Sequence, residues 1–382
     1  MKRTGQIILA LGFFLMAQAA QADWTATKRL TWNSGGSWAA AIGAYPPANV
    51  YVVWIDSTPG NSEIFFKRST DSGSSWAPSQ RLTWTPGNSS PASIAVNAYG
   101  YIYVVWYDDT PGNDEIYFKK STDGGSSWSA NQRLTWSSED SINPEIAADS
   151  FGHLHVVWYE SLMLPEVYYK KSTNAGSSWL TSKRLTWTAE TSSHPRIGVE
   201  SSGNLHVIWK EEVTGNEEIY YKKSTDNGET WTTSKRLTWT PGDSWYPSMA
   251  VTSSGDIHVA WDDDTPGNRE IYYKKSTAGG DTWTTNKRIT WTSGASLYSG
   301  IAVDSSGYLH LVWYEDVSGN DEIFHSQSTD GGASWSPGQR LTWNSGTSTF
   351  PVVSVDGSDN LHVIWSDNTP GNVEVYYKKY IK

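Results

Sequence analysis

The sequence predicts an all-β fold, a seven-bladed β-propeller of four-stranded antiparallel blades, with the ring closed by an N-terminal strand that completes the last blade. Three observations predict it. A unit of 51 or 52 residues recurs along the chain, each unit contains four strand-like segments, and the final unit stops after its third strand. Because one such unit cannot bury its apolar face alone, neighbouring units must cover it.

The repeat is defined by tryptophans at three positions in each unit. The first series ends a Leu/Ile-Thr-Trp signature and comprises Trp32, Trp84, Trp136, Trp187, Trp239, Trp291 and Trp343. The second stands mostly in Val-x-Trp context and comprises Trp54, Trp106, Trp158, Trp209, Trp261, Trp313 and Trp365. The third closes the Ser-x-Asp-x-Gly-x-x-Trp boxes at Trp76, Trp128, Trp179, Trp231, Trp283 and Trp335, and Trp24 is its seventh member because it stands eight residues before Trp32, just as Trp76 stands eight before Trp84. Only Trp38 and Trp245 fall outside the three series.

Local signals within one unit indicate short strands separated by turns. In the second unit we predict strands over residues 94–96, 101–106, 115–120 and 132–136, where β-branched and aromatic residues are concentrated. The segments 97–100 and 109–113 contain the Asn, Pro and Gly residues that turns require, because Pro presets φ and Gly permits positive φ. No stretch of helical hydrophobic period follows residue 22.

Ring closure is predicted by the two ends of the chain. The last unit ends at residues 376–382, without a box or a fourth strand. Trp24 and Trp32 supply a box tryptophan and a signature tryptophan ahead of the first complete unit. We therefore expect the N-terminal strand to pair as the outermost strand of the seventh blade, which removes the exposed sheet edges of an open array.

The first 22 residues have the three parts of a secretory signal peptide. A basic start at Lys2 and Arg3 precedes an apolar run over residues 7–17 and a small-residue site ending at Ala22. That run is shorter than the roughly 20 residues that span a bilayer. We predict cleavage near Ala22, a single mature domain over residues 23–382, and a secreted or periplasmic protein. The absence of cysteine excludes disulfides and thiolate catalysis.

The charge balance disfavours polyanionic partners. The formal net charge is −11, whereas nucleic acid and anionic membranes bind basic patches. We predict a monomer that neither binds nucleic acid nor inserts into membranes. Lysine pairs recur at one strand position, and we expect them to form solvated strand faces: Lys119-Lys120, Lys170-Lys171 and Lys222-Lys223.

The boxes over residues 69–76, 121–128, 224–231 and 328–335 match Ser/Thr-x-Asp-x-Gly-x-x-Trp. They resemble the Asp-box, or BNR, repeats of the sialidase superfamily. The resemblance implies that each box joins the third and fourth strands on the side away from an active site. We expect the Asp to accept hydrogen bonds from turn amides and the Trp to pack between blades. Asn174 and Ala278 replace the Asp, which predicts looser turns there.

The resemblance does not extend to sialidase chemistry. Sialidases are similar to one another in a six-bladed propeller, an arginine triad, a Tyr nucleophile with a Glu partner and an Asp acid/base. Outside the signature and the leader, only Arg68, Arg196 and Arg269 remain here, and the Phe/Tyr-Arg-Ile-Pro motif is missing. Seven arginines belong to the repeated signature: Arg29, Arg81, Arg133, Arg184, Arg236, Arg288 and Arg340. We predict no sialidase activity.

Two acids and a histidine also recur. The first acid follows each second-series tryptophan by two residues, at Asp56, Asp108, Glu160, Glu211, Asp263, Glu315 and Asp367. The second recurs at Glu63, Glu115, Glu166, Glu218, Glu270, Glu322 and Glu374. Seven copies favour turn capping and lysine pairing, or seven equivalent weak sites, over one glycosidase pair. One strand position carries His155, His206, His258, His310 and His362, which we expect to be packed between blades. We predict no metal and no cofactor.

Positions that break the repeat near the channel mouth are the candidate site. Aromatic residues six and seven positions after the signature tryptophan suit sugar rings, or alternatively plug the channel. The predicted ligand-binding residues are Trp38, His194, Trp245, Tyr246, Tyr298 and Phe350. We expect Glu145 and Arg196, the only charges at their position, to form a salt bridge at the channel mouth; with His194 they are also the candidates for any catalysis.

The sequence thus predicts a secreted, non-catalytic propeller that binds an extracellular glycan or protein ligand, most simply a glycan. Two alternatives remain open. One is a glycoside hydrolase or lyase of sialidase-like fold, and the other is a structural scaffold for protein partners.

Overall fold

The computed structural model describes residues 23–382, so the predicted signal peptide lies outside the described residues. The described chain forms 29 β-strands, and none of it forms an α-helix. Within residues 23–382 there is accordingly no helix long and apolar enough to cross a membrane. The prediction of an all-β protein is confirmed.

The strands follow one another blade by blade. Blade 1 comprises β3 (Ser37–Tyr45), β4 (Asn49–Asp56), β5 (Glu63–Ser69) and β6 (Gln80–Arg81); blade 2 comprises β7 (Ser89–Val96), β8 (Ile102–Asp108), β9 (Glu115–Ser121) and β10 (Gln132–Arg133). Blade 3 comprises β11 (Ser141–Ala148), β12 (Leu154–Glu160), β13 (Glu166–Ser172) and β14 (Lys183–Arg184); blade 4 comprises β15 (Ser192–Val199), β16 (Leu205–Val213), β17 (Asn216–Ser224) and β18 (Lys235–Arg236). Blade 5 comprises β19 (Ser244–Val251), β20 (Ile257–Asp263), β21 (Glu270–Ser276) and β22 (Lys287–Arg288); blade 6 comprises β23 (Ser296–Val303), β24 (Leu309–Asp316), β25 (Asp321–Ser328) and β26 (Gln339–Arg340). Blade 7 comprises β27 (Ser348–Val355), β28 (Leu361–Asp367) and β29 (Glu374–Ile381), with β1 (Asp23–Trp24) and β2 (Lys28–Arg29).

The two chain ends close the ring. Both β1 and β2 pair antiparallel with β29, with Trp24 opposite Tyr380 and Arg29 opposite Tyr376. In blades 1 to 6 the four strands are paired antiparallel in sequence order. The predicted closure by the N-terminal strand is therefore confirmed, and the N-terminal segment supplies the outer edge of blade 7.

The blade core lies mainly on the second and third strands. In β8 the residues from Ile102 to Trp106 are all buried, because both faces of a propeller blade are covered by neighbouring blades. The first and fourth strands differ from their predicted bounds. The first is longer, since β7 includes a β-bulge between Ser90 and Ser93. The fourth is shorter, because after Leu134 donates its N–H to Ile116 O the chain leaves the sheet.

The Asp boxes form the predicted turns. In the second box Asp123 Oδ1 accepts the Ser127 N–H at 2.8 Å, and Ser121 Oγ accepts the Gly125 N–H at 2.8 Å. The expectation of a looser turn at Asn174 is wrong, because the amide oxygen accepts the Ser178 N–H at the same 2.8 Å.

Box tryptophans pack between blades as predicted. Trp128 of blade 2 meets Phe66 of blade 1 edge-to-face at 5.1 Å, and Trp24 meets His325 of blade 6 in the same way at 5.1 Å. Gly125 has φ of +85°, and a Cβ there would lie 2.5 Å from the Phe66 ring. The box glycine therefore permits the close approach of adjacent blades.

The recurring acids are structural, but the expectation of lysine pairing is wrong. The second acid is buried and pairs with the signature arginine of its own unit, as in Arg236 Nη2 to Glu218 Oε1 at 2.5 Å. The first acid caps the Thr-Pro-Gly turn, as where Asp56 Oδ1 accepts the Thr58 N–H at 2.8 Å. Equivalent arginine pairs occur in all seven units, in Arg29–Glu374, Arg81–Glu63, Arg133–Glu115, Arg184–Glu166, Arg236–Glu218, Arg288–Glu270 and Arg340–Glu322.

The lysine pairs are not the solvated faces that the sequence suggests. The first lysine of each pair is buried, and Lys119 is only 6% exposed. Its ammonium donates a hydrogen bond to the Leu82 carbonyl of the preceding blade. The repeated histidines are buried as expected, and His155 Nδ1 lies 2.8 Å from the Tyr169 hydroxyl of the adjacent strand in the same blade.

Candidate ligand-binding site at the channel mouth

The candidate site lies on the propeller face opposite the Asp boxes. Trp245, near the start of β19, is opposite Asp262, near the end of β20. The Thr-Pro-Gly turns follow these second strands, whereas the boxes follow the third strands at the other edge of each sheet. Residues six and seven positions after each signature tryptophan therefore lie beside the Thr-Pro-Gly turns, as predicted.

Each blade has an irregularity in register near the start of its first strand, and six blades place a non-glycine residue there with positive φ. The φ angles are 50° at Ala39, 51° at Asn143, 53° at His194, 47° at Tyr246, 51° at Tyr298 and 52° at Phe350. Blade 2 has Pro91, whose ring locks φ at a negative value. Left-handed conformations are unfavourable for bulky residues, and such strain is concentrated at functional sites. The bulge gives these side chains a common placement in successive blades.

Four of the predicted ligand-binding residues form one continuous aromatic surface, which we call the aromatic ladder: His194, Tyr246, Tyr298 and Phe350. The Tyr246 and Tyr298 rings stack with centroids 3.9 Å apart. His194 meets Tyr246 edge-to-face at 5.5 Å, and Phe350 meets Tyr298 in the same manner at 4.7 Å. The ladder spans blades 4 to 7, and at its end the Phe350 residue is 45% exposed.

Trp245 joins the ladder through an arginine. The Arg269 guanidinium carbon lies 3.6 Å from the Trp245 ring centroid and 5.7 Å from that of Tyr246. Arg269 Nε also lies 3.4 Å from the buried Asp262 Oδ2, while Asp262 Oδ1 accepts the Tyr298 N–H at 3.3 Å. Burial raises the pKa of Asp262 to about 7, against the opposing effect of Arg269. The site thus contains a carboxyl group that changes charge near neutral pH.

The two charges that break the repeat, Glu145 and Arg196, form the predicted salt bridge. Arg196 Nη1 lies 3.0 Å from Glu145 Oε2, and Arg196 Nε donates to Pro247 O at 3.3 Å. Burial raises the pKa of Glu145, and Arg196 acts in the opposite direction.

His194 is a neutral imidazole at physiological pH. Burial, followed by the charges of Lys210 and Arg196, lowers the pKa of His194 to about 4. Its Nδ1 lies 3.1 Å from the Ser193 hydroxyl. A neutral His can accept or donate a hydrogen bond to a ligand without adding charge.

Trp38 is placed apart from the ladder. It packs against the core shared by blades 1 and 2, formed around residues such as Trp106. Sequence reasoning also missed Tyr159, which lies 5.7 Å from His194, and did not pair Asp262 with Arg269. Tyr159 and Asp262 occupy the position directly after a second-series tryptophan, and this position breaks the repeat, so it is a sequence signal for both residues. Its occupants are Ile55, Tyr107, Tyr159, Lys210, Asp262, Tyr314 and Ser366.

One group on the Asp-box face has the composition of a metal site. Ligand atoms of Asp149, His153 and His155 lie within 4.8 Å of one another. His153 Nδ1 is 2.7 Å from Asp149 Oδ2. His155 Nε2 lies 3.5 Å from the same Asp149 oxygen, and this second pair recurs where His206 Nε2 lies 2.8 Å from Glu200 Oε1, so it is part of the blade structure.

The architecture defines a seven-bladed Asp-box propeller, and its sequence places it in a known family. The profile of the BNR repeat-containing family matches residues 101–298, more than half of the chain, and the protein belongs to that family. A search of curated proteins found no significant match.

Solved structures with the same fold act on different carbohydrates. An ulvan lyase of polysaccharide lyase family PL25 is 10% identical, with a TM-score of 0.67 over 90% of this chain and 94% of the lyase. The NanB sialidase of Streptococcus pneumoniae is 14% identical, with a TM-score of 0.52 over 92% of this chain and 70% of the sialidase. An α-L-arabinofuranosidase of Fusarium graminearum is 14% identical, with a TM-score of 0.56 over 77% of this chain and 93% of the enzyme. At these identities the similarity establishes the fold alone.

Proposed function

We propose that the protein is a secreted, monomeric glycan-binding propeller whose site is the aromatic ladder together with Trp245 and Arg269. The observation that carries the proposal is the contiguity of the ladder over blades 4 to 7, with Tyr246 stacked on Tyr298 at 3.9 Å. Pyranose rings present apolar C–H faces that pack against aromatic rings, and their hydroxyls need directional donors and acceptors.

Polar groups beside the ladder support a sugar rather than an apolar ligand. Arg269 and Arg196 offer guanidinium donors, and His194 and Asp262 offer groups that accept or donate. The Arg196 side chain is 44% exposed, so it remains available although it is paired with Glu145. The three structural neighbours named above act on carbohydrates, which agrees with this proposal.

A glycan array probed with the mature chain tests the proposal. We expect binding to at least one glycan and a loss of about tenfold or more in affinity in Tyr246→Ala, since a buried aromatic contact contributes about 1.5 kcal/mol. Tyr99→Ala is the matched control, because Tyr99 is an exposed tyrosine on the turn between β7 and β8, at the opposite face. No binding on a broad array, or equal loss in both variants, would overturn the proposal.

A second function, carbohydrate cleavage, is favoured by one observation. Asp262 is buried at the channel mouth beside Arg269, and burial raises its pKa to about 7, which suits a general acid or base. The neutral His194 and Arg196 lie in the adjacent blade 4, and Glu145, the salt-bridge partner of Arg196, lies in blade 3. We would expect turnover of fluorogenic glycosides or of uronate polysaccharides to vanish in Glu145→Gln or Asp262→Asn. Binding without turnover on a panel of both substrate types would leave the non-catalytic function standing.

A further inference from the structure

The outer rim of the propeller carries the seven signature tryptophans, and all of them are exposed. Their exposed fractions run from 66% for Trp32 to 74% for Trp291. Large apolar side chains normally lie inside a protein, and tryptophan is usually well covered. The other two tryptophan series are buried or packed between blades, so their repetition follows from packing. The signature arginine of each unit lies 4.0–5.8 Å from the centroid of its tryptophan ring, and all seven indoles are exposed despite this contact.

A buried lysine of the next blade lies beside the tryptophan at most junctions. Lys222 Nζ is 5.8 Å from the Trp187 ring centroid, and Lys67 Nζ is 5.5 Å from that of Trp32. Each of these lysines donates to the carbonyl two residues before the tryptophan, as Lys67 does to Leu30 O at 2.6 Å. The six lysines are 6–9% exposed, and they are Lys67, Lys119, Lys170, Lys222, Lys274 and Lys378.

These ammonium groups are under-satisfied. An ammonium has three donors. Within residues 23–382 five of the six Nζ atoms make one hydrogen bond each, to a carbonyl of the preceding blade, and Lys170 Nζ makes a second one, to Ser182 Oγ at 3.3 Å. No carboxylate of the described chain lies within salt-bridge distance of any of the six, whereas the nearby Arg184 is neutralised by Glu166. Burial of a charge without a partner is costly, so an anionic ligand at this position would recover part of that cost.

The tryptophan and the lysine face a common groove. At the junction of blades 3 and 4 this groove has a volume of about 410 Å³ and is lined by Arg184, Trp187, Lys222 and Trp231, with Lys183 and Leu185. It combines two indole rings with three cationic side chains. The site faces the outer rim and shares no residue with the channel-mouth site.

We propose that six blade junctions on the rim each bind one carboxylate-bearing sugar of an acidic polysaccharide. The exposed indole packs against the sugar ring, and the under-satisfied lysine ammonium donates hydrogen bonds to the sugar carboxylate. The chain as a whole is acidic, with a formal charge of −11, which weakens each contact. Six equivalent weak sites on one polymer gain avidity through effective concentration. The six rim sites together hold a polysaccharide along the rim, independently of the glycan contacts of the channel-mouth site.

The junction of blades 5 and 6 is an internal exception. Its tryptophan, Trp291, is exposed like the others, but Ser326 stands where the other units have lysine. The guanidinium carbon of Arg288 lies 4.0 Å from the Trp291 ring centroid, whereas that of Arg184 lies 5.8 Å from the Trp187 centroid. The ammonium is absent here while Trp291 remains the most exposed of the seven tryptophans, so this junction serves as a control within the same molecule.

Indole ¹⁵N–¹H spectra of the mature protein test the proposal. Trigalacturonate is titrated against the protein, with maltotriose as a neutral probe of the same length, and signals are assigned by single Trp→Phe variants. We expect six signature indoles to shift with trigalacturonate, Trp291 to remain unshifted, and maltotriose to leave all seven in place. Equal shifts at Trp291, equal response to maltotriose, or no shift at any rim indole would each overturn the proposal.

Variants separate the lysine's role from folding. Lys222→Met is expected to abolish the shift of Trp187 alone, and Lys222→Arg to retain it, while the other indole signals keep their positions and report an intact fold. Loss at every junction in Lys222→Met would contradict independent sites. Because Tyr246→Ala lies in the channel-mouth site, it is expected to leave the six rim shifts unchanged, so failure of one site is distinguishable from failure of the other.

Discussion

Tyr246 and Tyr298 stack at 3.9 Å across the junction of blades 5 and 6, and both residues have left-handed backbone conformations, with φ of 47° and 51°. The two facts are connected. The bulge near the start of each first strand sets the direction of the side chain, and the ring symmetry brings equivalent side chains together. Backbone strain in two blades thus supports one aromatic surface.

The repeated Arg236–Glu218 pair should contribute more to the free energy of unfolding than the unrepeated Arg196–Glu145 pair. Arg236→Met leaves the fully buried Glu218 without its partner, and we expect the free energy of unfolding to fall by about 3 kcal/mol or more. Arg196→Met removes a pair whose arginine side chain is 44% exposed, and we expect a loss below about 1 kcal/mol. Urea unfolding at pH 7 measures both, and equal losses would contradict this distinction.

Closure of the ring should make the N-terminal segment as important as any internal blade. Trp24→Ala removes the box tryptophan that packs on His325, and we expect a loss of about 3 kcal/mol, as for other large-to-small core changes. Trp128→Ala, at the equivalent position against Phe66, is the comparison. Thermal unfolding midpoints of the two variants should fall by similar amounts. An unchanged midpoint in Trp24→Ala would show that the N-terminal strand is dispensable.

The Asp boxes should contribute to acid unfolding. Hydrogen bonds, first from the Ser75 hydroxyl and then from its amide, lower the pKa of Asp71 to about 2, below its usual 3.8. Because the folded-state pKa is depressed, the stabilisation is present above about pH 4 and is lost as pH falls toward 2. Asp71→Asn keeps the acceptor, as Asn174 does in its own box, and removes the titration. We expect a shallower fall in melting temperature between pH 4 and pH 2; an unchanged slope would count against this cause.

Asp262 should have the opposite effect on stability. Burial raises the pKa of Asp262 from 3.8 to about 7, so the folded state retains a proton that the unfolded state has released. The contribution of Asp262 therefore lowers the free energy of unfolding progressively as pH rises from about 4 to 7. Asp262→Asn removes the dependence, and its stability relative to the natural protein should increase over that range. Chemical unfolding at pH 4.5 and pH 7.5 measures the change, and a constant difference would contradict the raised pKa.

Much of the fold could be predicted from residue spacing. Regular tryptophan positions and strand-length segments predict seven blades, and the truncated last unit predicts pairing by the segment that holds Trp24. Strand ends were less predictable, because the first strand of blade 2 extends through a bulge near Ser90 and the fourth strand ends at Arg133, before its predicted end. Neither event has a sequence signal as strong as the repeat itself.

The candidate site could be predicted in part, through the positions that break the repeat. His194, Tyr246, Tyr298 and Phe350 were found in this way because they occupy one position in consecutive units. The contact of Arg269 with Trp245 is not predictable from spacing, since it joins a residue of β19 to a residue 24 positions further along, in the turn between β20 and β21. Contacts of that kind depend on strand register and not on spacing along the chain.

The sequence alone determined the number of blades, the site of closure and the blades in which the residues at the channel mouth break the repeat. These properties follow from hydrophobic burial and turn chemistry, which are local and periodic. Only the tertiary structure decided which charges are buried. It placed Lys119 under a neighbouring carbonyl and left Trp84 exposed beside it, although sequence suggested a solvated lysine. The physical reason is that burial of a side chain depends on how the adjacent blade packs against it, and the residues of its own unit do not determine that packing.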